Sequence, residues 1–409
     1  MEKIKIYNLK SKSKITNIII SNIPYVVVSA WIPFVSIIDL IKKQGAAHLL
    51  EHLYMSRNKD FNNEIEYLEY LEKNGITFNA YTTTELMVFY YIAPLESIEI
   101  ATKTFLKTFY NPTYTNSDLK KQKKIVINES LVNYEDPSSY IWRLRNKSLF
   151  QDEFSKKDFY GTYSSINSIT INDLKKICKN TFTNSSISFL IISPTEISEN
   201  IINLFNKFNF EKDVSIKTNT PIFAIKDIEE GKKTTREHLT VSVQIPYPSI
   251  INTKEVIVGN LIRDYLGNFW SSVLTSELRT KKGLVYWVST NTEYFSKYGL
   301  LSINFSCQKK DFLKIKKEIQ ENLYFLSKKL VDSSILRNFI KTYISKTQCG
   351  QNEALHNLYW FGSDIAFNAK PLTHEEYYRK LKNIKPNDVL EFSKKYLKKE
   401  NIAWITIQS

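Results

Sequence analysis

The sequence predicts a mixed α+β protein that contains two copies of one domain. Three observations support this fold class. Short runs of β-branched and aromatic residues show partial alternation with polar residues, as strands do. Longer segments place apolar residues at three- and four-residue spacing, as amphipathic helices do. The order of these segments in the first half of the chain then recurs in the second half, which indicates a duplication.

The first part of the chain is expected to alternate between strands and helices. Three strands are predicted first, at Ile4–Leu9, Asn17–Ser21 and Tyr25–Trp31. Helices are predicted at about 46–56 and 61–74, and Gly75 ends the second of them. Two adjoining strands should follow, at 75–82 and 86–92.

Helices dominate the next stretch. They are predicted from about 95 to 109 and from about 117 to 149, with Pro137 interrupting the longer one because proline breaks the helical hydrogen-bond ladder. A helix near 170–182 and a buried strand at Ile187–Ile192 should close the first half.

The second half repeats this plan. Ile169–Leu174, which precedes a helix and the strand Ser188–Ile192, matches Ile384–Val389, which precedes a helix and Ala403–Ile407. Gly75 before its strand pair likewise matches Gly283 before Leu284–Val288 and Leu300–Phe305. Because both matches have nearly the same offset, they indicate a duplicated domain. The predicted domains are 1–212 and 223–409, and the polar stretch 213–222 is the predicted linker.

Composition restricts the class of protein. With 409 residues, 43% of them hydrophobic and 24% charged, the chain is typical of a soluble globular protein. Its cysteines are few and scattered, which favours a reducing compartment, and no apolar run is long enough for a bilayer or resembles a signal peptide. We therefore expect a cytoplasmic protein without a membrane partner.

The net charge of +14 is carried mostly by lysines. These lysines recur at helical spacing beside apolar residues, as on the solvated faces of amphipathic helices. No nucleic-acid partner is therefore expected, although a preference for acidic peptides stays open.

The run Gly45–His52 is the most informative segment of the sequence. Within it, His48, Glu51 and His52 share one helix face, because positions i, i+3 and i+4 lie together. Two imidazoles and a carboxylate, here Glu129, form the three-ligand set of a catalytic zinc, which leaves a position for water. The order His-x-x-Glu-His is the inverzincin signature. The alternative is a histidine pair with a merely structural role.

With these residues, the chain resembles the pitrilysin/insulinase family of zinc metallopeptidases, which carry the same inverted motif. The resemblance extends over essentially the whole length and points to the short two-domain branch that includes the mitochondrial processing peptidase and bacterial relatives. It implies that each domain is a mostly antiparallel sheet covered by helices, and that the two domains form half of a clamshell. It also implies one zinc ion per chain.

The resemblance assigns roles to residues at matching positions. It implies that His48, His52 and Glu129 hold zinc, that Glu51 is the general base, and that the edge strand with Phe78, Asn79 and Ala80 pairs with a peptide substrate. Arg279 would hold substrate carbonyls, and Tyr286 would donate a hydrogen bond to the tetrahedral intermediate.

Some of these positions have simpler explanations. Asn79 could be an ordinary strand-edge residue, Tyr286 a core aromatic, and Arg279 a surface partner of Glu277.

Three places depart from the family pattern. Met87 replaces a small polar residue after the substrate strand, Met55–Arg57 replaces a glycine-containing segment after the zinc helix, and Gln122 is the third. Gln122 stands where relatives commonly have a glutamate that supports the zinc ligands, so the tuning of the site is open.

The function implied is that of a zinc-dependent endopeptidase that cleaves unfolded peptides in an enclosed dimer chamber. The partner would be a second copy of the chain or a homologous subunit, because larger relatives close the clamshell with four domains and this chain has two. One alternative is a dedicated leader-peptide maturation protease that works with a zinc-less partner. Another is a non-catalytic partner or scaffold subunit, for which the loss of Glu51 or of a ligand would be the expected mark.

Overall fold

The chain forms two compact units in the computed structural model, which describes residues 2–11, 13–33, 43–110, 112–152, 156, 160–184, 187–208, 221–231 and 237–408. The first unit is drawn from Met1–Leu131, Lys157–Asn219 and Gln351–Thr373. The second is drawn from Val132–Lys156, Thr220–Gly350 and His374–Ser409. The domain bounds at 212 and 223 remain a prediction, and the predicted linker lies outside the described residues except for Pro221 and Ile222.

The described strands and helices are numbered here in chain order. The strands are β1 (Glu2–Asn8), β2 (Lys14–Ile20), β3 (Tyr25–Pro33), β4 (Thr77–Thr82), β5 (Leu86–Pro94), β6 (Ser188–Ser193), β7 (Ile228–Gly231), β8 (His238–Tyr247), β9 (Val288–Tyr294), β10 (Gly299–Gln308) and β11 (Ala403–Gln408). The helices are α1 (Ala46–Tyr54), α2 (Glu64–Lys73), α3 (Ile98–Tyr110), α4 (Asn116–Glu135), α5 (Pro137–Leu149), α6 (Tyr163–Ser168), α7 (Ile171–Asn184), α8 (Glu199–Asn206), α9 (Thr253–Arg263), α10 (Phe312–Lys328), α11 (Ser333–Gly350), α12 (Ala354–Ala366), α13 (His374–Lys382) and α14 (Pro386–Tyr396).

The first unit is built on a sheet of strand order β1-β2-β6-β3-β5-β4, in which only β2 and β6 run parallel. Strand β3 shows how the two faces are filled. Val28 and Ile32 belong to the core cluster on the side of α1, whereas Val27 and Trp31 pack in the cluster that contains α12. This alternation follows from the two-residue period of a strand, and it buries both faces of the sheet. Strand β4 lies at the edge.

The second unit repeats the sheet of the first. Its strand order is β7-β11-β8-β10-β9, and only β7 and β11 are parallel. The order β2-β6-β3-β5-β4 of the first unit has the same single parallel pair at the same place. The predicted fold class, two duplicated α+β domains with mostly antiparallel sheets covered by helices, is therefore confirmed.

Each unit takes one helix from the other half of the sequence. Tyr140, Ile141 and Leu144 of α5 form a buried cluster with Ile405 and Ile407 of β11, so this helix covers the second sheet. In the same way, α12 from the second half covers the first sheet, and its buried side chains pack on Trp31.

Most of the predicted elements are confirmed, but one strand begins later than expected. The chain breaks between α4 and α5 at Pro137, as predicted, because proline fits the first turn of a helix and not its interior. The strand expected at Leu284–Val288 was wrong in its start: β9 begins at Val288, which pairs with Phe305. Tyr286 and Trp287 before it are exposed, so no sheet contact holds them in a strand.

Among the described residues, no helix combines the length and the apolar character that crossing a bilayer would need.

Candidate metal centre

The histidine pair lies on α1, a helix fixed against the first sheet by its apolar residues. Leu49, Leu50 and Leu53 of this helix are fully buried. Their spacing leaves His48 and His52 on a different face, one turn apart, as the sequence predicts. A ring–ring contact orients the first ligand further, because Tyr160 meets His48 edge to face with ring centroids 5.3 Å apart.

A contact between two glycines sets the position of α1. Gly45, the residue before the helix, has φ 86°, and Gly161 has φ 76°, a backbone region that favours glycine. A Cβ atom on Gly161 would lie 2.7 Å from the carbonyl oxygen of Gln44. The Ser130 hydroxyl, next to Glu129 on α4, donates to the Gly161 carbonyl over 3.3 Å. The turn at Gly161 therefore links the start of α1 to the part of α4 that carries Glu129.

The structure brings the three predicted ligands together. The Nε2 atoms of His48 and His52 are 3.3 Å apart, and each lies 3.5 Å from Oε2 of Glu129. A tetrahedral zinc with bonds of about 2.0–2.2 Å separates its ligand atoms by roughly 3.3–3.6 Å. The observed separations therefore fit a zinc ion without movement of the ligands. Within the described part of the chain, these residues form the group of histidine, cysteine and acidic side chains that could hold a metal.

The pKa values of the two histidines are shifted in opposite directions. Burial lowers the pKa of His48 to about 4, so this ring is neutral and ready to ligate at physiological pH. Burial also lowers the pKa of His52, but the hydrogen bond with Glu129 and the charges of Glu51 and Glu129 outweigh it, and the net pKa is raised. The hydrogen bond with His52 lowers the pKa of Glu129. A metal ion would therefore compete with a proton for the His52 ring.

Glu51 is buried beside the ligands. Burial raises the pKa of its carboxyl group to about 7, although the hydrogen bond from Thr82 acts in the opposite direction. The Thr82 hydroxyl donates to Oε2 of Glu51, which leaves the other carboxylate oxygen for a different partner. Thr82 was missed as a site residue. The signal was present, because Phe78, Ala80 and Thr82 alternate onto the face of β4 that packs toward α1.

Gln122 is a buried polar residue next to a ligand. It is buried on α4, two turns before Glu129, and its side chain hydrogen-bonds to His52. A metal-ligating histidine commonly donates its second ring N–H to such an acceptor, which fixes the ring orientation. In this chain the group that hydrogen-bonds to His52 at this position is a neutral amide.

The predicted peptide-binding strand is the edge strand β4. Its only neighbour in the described sheet is β5. The Phe78 side chain packs toward the core against Tyr67 and Tyr91, so any contact of Phe78 with a peptide would be made by its backbone. Asn79 is exposed at this edge, and its side-chain oxygen accepts from the backbone N–H of Ala80 over 2.8 Å.

Arg279 and Tyr286 lie in the second unit, and the structure brings these two together. The Cζ atom of Arg279 is 5.7 Å from the centroid of the Tyr286 ring. Tyr286 is 83% exposed, unlike a core aromatic residue. Glu277 lies 2.5 Å from Lys281 and forms its ion pair there, not with Arg279.

Comparison with family models supports the sequence resemblance. Residues 20–162 match the model described as Insulinase (Peptidase family M16). Residues 168–343 match the model described as Peptidase M16 inactive domain. The first match contains the histidine pair and Glu129, and the second contains Arg279 and Tyr286.

Individual relatives agree with these matches. An uncharacterized zinc protease, YmxG, of Bacillus subtilis is 24% identical over 317 residues, which cover 76% of this chain and 76% of that protein. An uncharacterized zinc protease of Rickettsia bellii is 24% identical over 361 residues, covering 85% of this chain and 84% of that protein.

A solved protease from Helicobacter pylori has the same fold, with a TM-score of 0.87 at 16% identity over 100% of both chains. The Peptidase M16 inactive domain structure from Pseudomonas fluorescens also has a TM-score of 0.87, at 14% identity over 99% of this chain and 98% of that chain. Together with the two adjoining model matches, these findings show that the chain belongs to peptidase family M16, the insulinase/pitrilysin family, in its short two-domain form.

Proposed function

We propose that the protein is a zinc-dependent endopeptidase that cleaves unfolded peptides. The observation that carries this proposal is the convergence of His48, His52 and Glu129 at zinc-ligand separations, with the buried carboxyl group of Glu51 beside them. A non-catalytic subunit would be expected to lack a ligand or the base, and this chain has all four residues.

The chain's own residues supply the acid–base chemistry. A zinc ion held by the three ligands would supply Lewis acidity to a water molecule and to a peptide carbonyl. Glu51 accepts the proton of the water on the oxygen that Thr82 leaves free, and it returns the proton to the leaving amine. A pKa of about 7 suits both steps, because the charged and neutral forms are then close in free energy near neutral pH.

A peptide substrate would bind as an added strand beside β4. This proposal is supported by the edge position of β4 and by the hydrogen bond between Thr82 of this strand and Glu51. Main-chain pairing at a sheet edge gives affinity with little demand on sequence, which suits a peptidase that acts on unfolded chains. The role of Arg279 would be to hold substrate carbonyls, and that of Tyr286 to donate a hydrogen bond to the reacting carbonyl oxygen.

The active chamber would form between two subunits. A homodimer can supply both half-sites, because one chain carries the zinc ligands as well as Arg279 and Tyr286. The second candidate is a leader-peptide maturation protease that works with a zinc-less partner. It is favoured by a 25% identity over 171 residues to a Schizosaccharomyces pombe protein named "Probable mitochondrial-processing peptidase subunit beta", which covers 42% of this chain and 37% of that protein.

The test compares the zinc-loaded wild type with Glu51→Gln on a mixed peptide library, with mass spectrometry as the readout. We expect the wild type to cleave peptides and to lose this activity with a chelator. The variant should keep about one zinc per chain and its fold, yet lose activity at least roughly a hundredfold, because an amide cannot accept the proton. Near-normal cleavage by the variant would exclude Glu51 as the base. A zinc content below about a tenth of an equivalent after reconstitution would exclude the metal site.

A further inference from the structure

Trp270 is an exposed indole in the second unit, next to the Arg279 and Tyr286 pair. Its ring centroid lies 4.4 Å from Cζ of Arg279, closer than the Tyr286 ring. The guanidinium therefore lies within cation–π distance of two aromatic rings. Among the described residues, no acidic side chain pairs with Arg279, since Glu277 is taken by Lys281. The N–H donors of Arg279 are thus not committed to a carboxylate of the described chain.

The exposure of these rings points to a ligand. Trp270 is 73% exposed and Tyr286 is 83% exposed, which makes them the two most exposed aromatic side chains of the described chain. Burying an exposed aromatic ring is favourable because it removes apolar surface from water. In binding interfaces, Trp, Tyr and Arg are enriched among the residues that contribute most of the binding free energy. Trp270 and Tyr286 therefore form, with the guanidinium of Arg279, a surface that is suited to binding a ligand.

The loop that carries Trp270 is held in place from both sides. The Ser272 hydroxyl donates to the carbonyl of Asp264 and accepts from the backbone N–H of Phe269 over 2.9 Å. Phe269 is buried and its ring stacks on Phe339. With its neighbour directed into the core, Trp270 is directed outward on a fixed loop. A rigid aromatic side chain loses little conformational entropy when a ligand covers it.

The local helix geometry also sets this segment apart. Thr275–Lys281, which follows Trp270, is a π-helical turn, and Asp264–Asn268 before Trp270 is a helical segment that is kinked at Gly267. π-Helical turns are rare and occur frequently at functional sites, because the extra residue redirects side chains. Arg279 lies in the π-helical turn Thr275–Lys281.

We propose that Trp270 binds the peptide substrate together with Arg279 and Tyr286. Arg279 would hold a backbone carbonyl of the peptide, and Trp270 would contact a large apolar side chain of the same peptide. The inference rests on the proposed peptidase function and names a substrate class for it: unfolded peptides with a large apolar residue near the cleaved bond. The indole offers the apolar surface, and beside it Arg279 offers hydrogen-bond donors that are not paired with a carboxylate among the described residues.

The kinetic test compares Trp270→Ala and Trp270→Phe with a matched control, Tyr324→Ala. Tyr324 of α10 is 64% exposed and has Lys328 5.7 Å from its ring, so the control removes a similar exposed aromatic residue beside a cation. On a peptide library, Trp270→Ala should raise KM about three- to tenfold, the range of a lost cation–π and apolar contact, with kcat changed less than about twofold. It should also weaken the preference for large apolar residues. Trp270→Phe should restore most of both properties, and the control should match the wild type.

A binding test does not depend on cleavage. The chain has six tryptophans, and subtracting the fluorescence emission of Glu51→Gln/Trp270→Phe from that of Glu51→Gln isolates the signal of Trp270 from that of the other five. Adding an unfolded peptide that contains leucine and phenylalanine should shift or quench this difference signal. An unchanged signal, or a Trp270→Ala enzyme with wild-type KM and cleavage profile, would overturn the inference. A changed signal in a protein whose zinc-loaded wild type cleaves nothing would support the binding site and reject the peptidase function.

Discussion

At the scale of single residues, the buried side chain of Gln122 lies next to one of the three predicted zinc ligands. His52 hydrogen-bonds to the side chain of Gln122 and lies 3.5 Å from Glu129. An amide oxygen accepts a hydrogen bond from an imidazole N–H but carries no charge, so it polarises the ring less than a carboxylate would. We therefore expect this chain to bind zinc more weakly than the same chain with a glutamate at position 122.

We predict that Gln122→Glu increases zinc affinity by about tenfold, the low end of the range for groups that support a metal ligand. Competition with a chelator of known affinity measures this change. Gln320→Glu in α10 of the second unit is the matched control, because it adds the same charge to the unit that does not contain the zinc ligands. Equal or weaker zinc binding by Gln122→Glu would show that the cost of burying a second carboxylate exceeds its benefit to the ligand.

At the scale of secondary-structure elements, α1 and α4 must meet at a fixed distance for the ligands to converge. The contact between Gly45 and Gly161 sets this distance at one end of the site. Both residues have a left-handed backbone, and neither has room for a Cβ atom. Helix α1 is short, so a shift at its first residue would displace His48 only one turn later.

Gly161→Ala should therefore destabilise the protein by about 1–3 kcal/mol or more, through backbone strain and the close approach to Gln44, and should weaken zinc binding. Thermal unfolding and zinc titration test the two effects. Gly283→Ala is the control that separates backbone strain from the close contact. Gly283 also has a positive φ, of 59°, but no atom lies within 4 Å of its Cβ position, so this variant introduces the strain alone. If both variants lose the same stability and both keep zinc, the contact has no role in placing α1.

Helix α12 carries an acidic residue whose burial makes stability depend on pH. Burial raises the pKa of Asp364 to about 7, well above the usual aspartate value of 3.8, and no described side chain pairs with it. The folded state therefore binds the proton more tightly than the unfolded state. Its contribution to stability is fully present below pH 3.8 and is lost as the pH rises toward 7.

Asp364→Asn should remove this dependence. Relative to the variant, the wild type should lose roughly 2–3 kcal/mol between pH 5 and pH 8, the size expected for a shift of this kind. Denaturant unfolding of both proteins at the two pH values measures the difference. If the free energy of unfolding changes equally with pH in the wild type and the variant, the Asp364 carboxyl group is solvated or paired in solution.

Local sequence patterns predicted the secondary structure of this molecule better than they predicted its long-range contacts. Helical spacing is local, so it placed His48, Glu51 and His52 on one face, and strand alternation located β3 and β5. The hydrogen bond between Thr82 and Glu51 was missed because it depends on how β4 packs against α1. Apolar periodicity likewise shows that α5 and α12 bury a face, but not that each helix packs on the sheet of the other half of the chain.

At the scale of the whole molecule, the two half-sites lie in different units of one chain. The first unit has the zinc ligands and Glu51, and the second has Arg279 and Tyr286. The duplication explains this division, since the second sheet repeats the first while only the first copy has the histidine motif. A chain with one copy of each half-site can complete an active site with a second copy of itself, which is the arrangement we propose.

Mixing two inactive variants tests this assembly. His48→Ala protein supplies an intact Arg279 and Tyr286 surface, and Tyr286→Phe protein supplies an intact zinc site. Under random exchange about half of the dimers are mixed, and each mixed dimer has one complete site, so the mixture should recover about a quarter of wild-type activity. Native mass spectrometry shows whether the subunits exchange. If they exchange and the mixture stays inactive, the homodimer does not share its sites between protomers, and the chain either completes its site alone or needs a different partner subunit.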